Sequence, residues 1–172
     1  MALFGYPVAQ ENDAERAARA ALSIQRSLAD INRKNAGSGK PALNARIGIE
    51  TGPVEVDASG EIYGDAPNTA ARVQALAEPG TVVITAQVQR QIAGLFVVEE
   101  RGSHELKGVP EPVTLFRVVR ASGDAGRASA TSRRWSVARK RSRYWCGAGS
   151  EHGRVTAKWR LSPANPGSAN RA

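Results

Sequence analysis

The sequence is poor in cysteine, aromatic residues and long apolar runs, and each shortage excludes a class of protein. The single cysteine, Cys146, cannot form an internal disulfide or complete a CxxC zinc site. No run approaches the roughly 18 apolar residues of a membrane-spanning helix, and the opening MALFGYPVAQEN has no basic residue ahead of its short apolar run. We therefore expect a cytoplasmic protein without a membrane span or a signal peptide.

Charge is distributed unevenly along the 172 residues. The chain carries a formal net charge of +8, yet residues 1–120 contain 13 basic and 14 acidic residues, whereas residues 121–172 contain 11 and 2. All three tryptophans also lie in the second part. This change of composition predicts a globular domain over residues 1–120, followed by a basic tail of low order over residues 121–172.

The globular part alternates between strand-like and helix-like patterns. Alanine and isoleucine recur at three- and four-residue steps from Ala14 to Ile31, which predicts one long amphipathic helix. A second helix is predicted from Asp65 to about Ala77, with Pro67 in its first turn. Strands are predicted at residues 2–6, 43–51, 54–56, 81–84, 96–101 and 113–119, and a short helix at residues 86–92. The alternation predicts an α+β or α/β fold.

Three strings follow one another in a specific order: RIGIETGPVEV, GEIYGDAPNTAARVQALAEPGTVVIT and ERGSHELKGVPEPVTLFRV. Together they resemble the class III adenylate and guanylate cyclases over roughly residues 1–119. The most specific element is the NxxxR spacing of Asn68 and Arg72 within GDxxNxAAR, since NxxxR alone would only indicate a solvated helix face. The resemblance implies an α+β fold: part of the ferredoxin-like cyclase domain, a sheet with packed helices.

The resemblance also implies a reaction and its residues. The ribose 3′-hydroxyl of a nucleoside triphosphate attacks its own α-phosphorus and expels pyrophosphate, with Asn68 orienting the ribose and Arg72 contacting the phosphate oxygens. Glu61, seven residues before Asn68, occupies the purine-contacting position, which is commonly aspartate in adenylate cyclases. The choice of base at Glu61 is therefore open, and for the intact relative we expect ATP ahead of GTP. Lys107 occupies a triphosphate-contacting position, although Val109 replaces the second lysine of the family's KGKG form. Without the resemblance, Glu61 and Lys107 would be ordinary surface residues.

The two metal-binding motifs of the family, FxDxxGFT and the GDG hairpin, are absent from the 172 residues. The resemblance places both before Met1, so we expect the intact domain to use Mg²⁺ or Mn²⁺ but this chain to bind no metal well and to have negligible activity alone. The resemblance implies a homodimer or an intact cyclase domain as partner, and activity would need a partner that supplies the metal-binding residues. The alternative is a non-catalytic module that dimerises with intact cyclases. The absent first strand would also leave unpaired strand edges.

The basic tail has two interpretations. A one-base shift of the reading frame permits LTPLVGREEEIALL in place of SRRWSVARKRSRYW, and SGEPGIGKSR in place of SPANPGSANR. The second string contains a P-loop, and P-loop ATPase domains follow cyclase domains in bacterial relatives, so we expect a frameshifted, functionless tail of low order. Alternatively, the basic residues and tryptophans could bind nucleic acid, which we consider the weaker hypothesis.

Overall fold

The computed structural model describes residues 1–123 and 154–163. Its elements in chain order are β1 (Ala2–Phe4), α1 (Asp13–Lys34), β2 (Leu43–Gly52), β3 (Glu55–Val56), β4 (Ile62–Tyr63), α2 (Asp65–Leu76), β5 (Val82–Thr85), α3 (Ala86–Gln91), β6 (Phe96–His104), β7 (Val113–Ala121) and β8 (Arg154–Pro163). The predicted helices and the strands of residues 1–120 are confirmed, as is the α+β class. None of the described helices is long and apolar enough to cross a membrane.

Six strands form one mixed sheet in the order β1-β8-β2-β5-β7-β6, and β3 and β4 form a separate hairpin. The central strand β2 runs parallel to β5 and antiparallel to β8. Strand β7 is antiparallel to both β5 and β6. The hairpin directly precedes α2 along the chain, with only Gly64 between β4 and α2.

The two faces of the sheet are covered by different helices. Successive residues of a strand point to opposite faces. On β2, Ile47 and Ile49 are buried in the main core with the alanines of α1 and with Val88 of α3. A smaller core on the other face joins Val73 of α2 to strand and loop residues. Helix α2 therefore lies alone on the face opposite α1.

Residues 154–163 depart from the expected low order of the tail. They form β8, which pairs with β1 on one side and with the full length of β2 on the other. The physical reason is a short alternating pattern, Val155, Ala157, Trp159 and Leu161, which suits a strand but is hidden in a composition averaged over the whole tail. The other residues of the predicted tail beyond Gly123, including Cys146, the string SRRWSVARKRSRYW and all of SPANPGSANR except its first two residues, lie outside the described residues.

Candidate functional site

Helix α2 is held unusually close to the central strand by a glycine. A Cβ atom at Gly48 would lie 2.4 Å from the backbone nitrogen of Gln74 and 2.5 Å from the carbonyl oxygen of Ala70. Such distances are far below van der Waals contact, so only glycine allows this approach. The backbone of β2 at Gly48 therefore sets the distance between α2 and the sheet. That distance in turn sets where the side chains of α2 lie relative to the sheet.

Asn68 and Arg72 occupy positions i and i+4 of α2, so they share one face of the helix. Asn68 is exposed, and its Nδ2 donates a hydrogen bond to the carbonyl oxygen of Gly64 at 3.2 Å. The side-chain oxygen of Asn68 receives no hydrogen bond from any described residue. The hydrogen bond from Nδ2 to Gly64 thus fixes the Asn68 rotamer. The side-chain oxygen of Asn68 stays available to accept a hydrogen bond from a ligand.

The guanidinium of Arg72 lies against the turn that contains Lys107. Gly108 adopts a φ of +73°, and a Cβ atom there would lie 3.3 Å from Nη2 of Arg72. Arg72 is half-buried, yet neither Arg72 nor Lys107 makes a hydrogen bond or an ion pair with a described residue. Two uncompensated cations therefore come from adjacent segments, which is an arrangement suited to an anionic group such as a phosphate.

Glu61 lies in the β3–β4 hairpin and is held by its own neighbours. The hydroxyl of Tyr63 donates to Oε2 of Glu61 at 2.5 Å, and Oδ1 of Asp57 accepts from the Glu61 amide at 2.9 Å. Glu61 raises the pKa of the Tyr63 hydroxyl, because the bond requires that proton. Hydrogen bonds from the Ser59 hydroxyl and the Glu61 amide lower the pKa of Asp57. The turn is therefore ordered, and one oxygen of Glu61 remains available.

The four predicted site residues do not form one contact network. Asn68 and Arg72 share a helix, and Arg72 meets the turn beside Lys107, but no hydrogen bond or ion pair within the described part joins Glu61 to the other three. The sequence reasoning missed Gly108 and Tyr63. Tyr63 could have been found, because it stands two residues after Glu61 in the sequence and a tyrosine hydroxyl can donate to a carboxylate.

The sequence reasoning also missed Glu50, a carboxylate that is only 7% exposed at the end of β2. Its Oε1 accepts hydrogen bonds from the Thr51 amide at 2.7 Å and from the Thr85 hydroxyl at 2.9 Å. Burial raises the pKa of Glu50, and these two hydrogen bonds oppose that effect. No sequence motif marked this residue, because it follows RIGI within a strand that otherwise reads as core.

A divalent metal is implied by the resemblance to the cyclases, and it would need several ligand side chains placed close together. Across residues 1–123 and 154–163, no group of three or more His, Cys, Asp or Glu side chains is placed to hold a metal ion. The Asn68 and Arg72 face offers one amide and one guanidinium, and a guanidinium cannot ligate a cation. The described residues therefore do not fit a metal on their own.

Comparison with known proteins agrees with the resemblance. Residues 1–119 match the family described as the adenylate and guanylate cyclase catalytic domain. The chain is 33% identical over 125 residues to human guanylate cyclase soluble subunit beta-2, an alignment that covers 69% of this chain and 20% of that protein. It is 31% identical over 105 residues to putative adenylate cyclase 3 of Rhizobium meliloti, covering 60% and 17%.

The fold of the chain is also similar to that of a solved cyclase. The adenylate/guanylate cyclase/hydrolase from Silicibacter pomeroyi superimposes with a TM-score of 0.54 at 29% identity, and the match covers 62% of each chain. The chain spans about a fifth of the length of the curated relatives that it matches. The mixed sheet with packed helices is thus the architecture of solved cyclase catalytic domains.

Proposed function

Because the chain belongs to the adenylate and guanylate cyclase catalytic domain family over residues 1–119, we propose that it supplies the ribose- and phosphate-binding half of a nucleotide cyclase site. The observation that carries the proposal is the Arg72 guanidinium, half-buried against Gly108 and without an ion pair to any described residue. A half-buried cation without a counter-charge is less stable than a paired one, so its retention favours an anionic ligand.

The proposed reaction closes a cyclic nucleotide. The ribose 3′-oxygen forms a bond to the α-phosphorus, and the bond from that phosphorus to the bridging oxygen breaks to release pyrophosphate. Arg72 stabilises negative charge that grows on the phosphate oxygens, and Lys107 adds a second cation from the adjacent turn. Asn68 orients the ribose through its free acceptor and remaining donor. These residues bind and position the substrate, and none of them is placed to remove the hydroxyl proton.

We propose ATP rather than GTP as the substrate, with Glu61 as the base-contacting residue. The Glu61 oxygen not engaged by Tyr63 can accept a hydrogen bond from the adenine amino group. The Tyr63 hydroxyl holds the carboxylate in one orientation, which reduces the entropy lost when the base binds. A Tyr63→Phe variant provides a test: preference for ATP over GTP should weaken, whereas an unchanged ratio would argue against Glu61 as the base-contacting residue.

We also propose that these 172 residues have negligible activity alone. Cyclase domains act as dimers and use divalent metals, which stabilise charge on the phosphates, but the described residues offer no group that fits a metal. The missing carboxylates must then come from a partner, either a second cyclase domain or a longer form of this chain. A homodimer of the 172 residues would lack them in both halves.

The experiment is complementation. The purified chain is mixed with a homologous cyclase domain that retains its metal-binding aspartates but carries alanine at its counterparts of Asn68 and Arg72, and cyclic nucleotide is measured with Mg²⁺ and ATP or GTP. We expect activity from the mixture and from neither protein alone. Arg72→Ala should lower it by about 10²–10³-fold, and Asn68→Ala should also lower it. Arg120→Ala, which removes an exposed arginine of β7, is the matched control.

A different result would favour the regulatory alternative. If the mixture stays inactive but the chain changes the output of an intact homologue, the chain is a non-catalytic module that dimerises with cyclases. If both outputs stay unchanged, both proposals fail. The proposed bacterial origin and downstream P-loop ATPase are tested separately by sequencing the adjacent genomic DNA, where the shifted frame should continue as an ATPase domain.

A further inference from the structure

A cavity of about 540 Å³ adjoins α2 and the turn that contains Lys107, with Thr69 and Val109 among its lining residues. Its walls come from the end of β2, the first turns of α2 and α3, and the loop before β7. The volume lies within the range of about 300–1,000 Å³ that is typical of small-molecule sites. Neither Asn68 nor Arg72 lines this cavity, so it borders the proposed nucleotide site without including these two residues.

Glu50 lies in the wall of this cavity and is the most deeply buried of its charged groups. One carboxylate oxygen, Oε1, accepts both available hydrogen bonds, from Thr51 and Thr85. The other oxygen receives none from the described residues. Oε2 of Glu50 is therefore free to accept a donor from a ligand in the cavity, and such a bond would stabilise the ionised carboxylate.

The other charged groups of the cavity set the sign of that ligand. Asp65 and Glu111 add two carboxylates, and Arg90 adds one guanidinium, so three potential negative charges face one positive charge. A cationic group is favoured by this balance. Because no group of three or more His, Cys, Asp or Glu side chains in the described part could hold a metal, an organic cation suits the site better than a metal ion. An ammonium group can donate up to three hydrogen bonds to such acceptors.

We propose that this cavity binds a small organic molecule through a primary ammonium group held by the Glu50 carboxylate. The proposal goes beyond the cyclase role and does not depend on it, since the two sites share no residue named in either argument. Charge-assisted hydrogen bonds from the ammonium to Oε2 supply the specificity, and Asp65 and Glu111 add attraction at longer range.

Two probes test the proposal on the full chain. Ethanolamine has a primary ammonium group, whereas choline carries the same hydroxyethyl arm on a quaternary nitrogen without N–H donors. Isothermal titration at pH 7 should show saturable binding of ethanolamine and at least tenfold weaker binding of choline. In heteronuclear NMR spectra, ethanolamine should shift the amide signals of Thr51 and Thr85. Equal binding of the two probes, or no saturable binding of ethanolamine, would overturn the proposal.

Two substitutions give a second test of the proposal. Glu50→Gln keeps the shape of the side chain but removes its charge, so the affinity for ethanolamine should fall by about tenfold or more. Glu100→Gln removes an exposed carboxylate of β6 outside the cavity and should leave the affinity unchanged. If Glu50→Gln binds ethanolamine as tightly as the unsubstituted chain, Glu50 is not the ligand-binding group. The comparison of probes requires no variant, so it stands even if a variant misfolds.

Discussion

At the scale of single residues, the Arg72 guanidinium lies beside the backbone of Gly108. A methyl group at Gly108 would be 3.3 Å from Nη2, so Gly108→Ala should displace the guanidinium. Because Gly108 has a φ of +73°, alanine should also destabilise the fold by about 1 kcal/mol. We expect activity in the complementation mixture to fall by about tenfold or more, since a displaced stabilising group loses most of its effect.

Gly102 offers a matched control for that prediction. It has a φ of +80°, but no atom lies within 4 Å of its would-be Cβ. Gly102→Ala should therefore lower the urea midpoint about as much as Gly108→Ala while leaving the complementation activity nearly intact. Equal losses of activity in the two variants would show that backbone strain, and not the position of Arg72, is responsible.

Glu50 makes a second prediction at this scale, on the dependence of stability on pH. Burial raises the pKa of Glu50 in the folded state above the ordinary value of 4.5. The folded state therefore retains this proton more readily than the unfolded state, so the stabilisation is full below pH 4.5 and is lost as pH rises through the raised pKa. Glu50→Gln should abolish that loss, so its free energy of unfolding relative to the unsubstituted chain should increase with pH above 4.5.

Urea denaturation at several pH values measures this difference. Glu100→Gln is again the control, because Glu100 is exposed and should leave the pH profile unchanged. A Glu50→Gln curve that runs parallel to that of the unsubstituted chain would mean that the carboxyl keeps an ordinary pKa in solution. The sign of the effect is opposite to that of a salt-bridged carboxylate, which makes it easy to recognise.

At the scale of elements, the placement of α2 depends on Gly48. A methyl group there would meet the backbone of Gln74 and Ala70 at 2.4–2.5 Å, and neither backbone atom can move without shifting the helix. We expect Gly48→Ala to lower the free energy of unfolding by about 1–3 kcal/mol or more, as overpacking does. Gly52→Ala is a graded control in the same strand, because its Cβ would meet only the Ala66 Cβ at 3.1 Å. Similar urea midpoints for the two variants would contradict this account.

The elements also show what sequence reasoning can and cannot supply. Helix α1 was predictable because its apolar residues repeat over about five turns, from Ala14 to Ile31. The place of Asn68 and Arg72 on α2 followed from their spacing and the surrounding strings. The role of Gly48 could not be predicted from the sequence, because close approach of a helix to a strand depends on residues that are distant in sequence. Glu50 was missed for a similar reason: its partner Thr85 and its cavity are brought to it only by the fold.

At the scale of the whole molecule, the main question is which strand pairs with the edges of β1 and β2. The sequence predicted unpaired strand edges, yet β8 lies between β1 and β2 and pairs with both. The fit is imperfect, because the buried hydroxyl of Thr156 has no hydrogen-bond partner within the described part. Such a group lowers stability by about 1–3 kcal/mol. Strand β8 thus completes the backbone hydrogen bonding of β2, although the Thr156 hydroxyl lacks a partner there.

Whether residues 154–163 hold this position in solution can be tested with two substitutions in the same strand. Ala157 is 4% exposed and belongs to the main core, whereas Leu161 is 57% exposed. Ala157→Asp would bury a charge and should lower the free energy of unfolding by about 3 kcal/mol or more, while Leu161→Asp should change it by less than about 0.5 kcal/mol. If both variants unfold like the unsubstituted chain in urea, this segment does not occupy the sheet, and the expectation of a tail without stable structure holds for it after all.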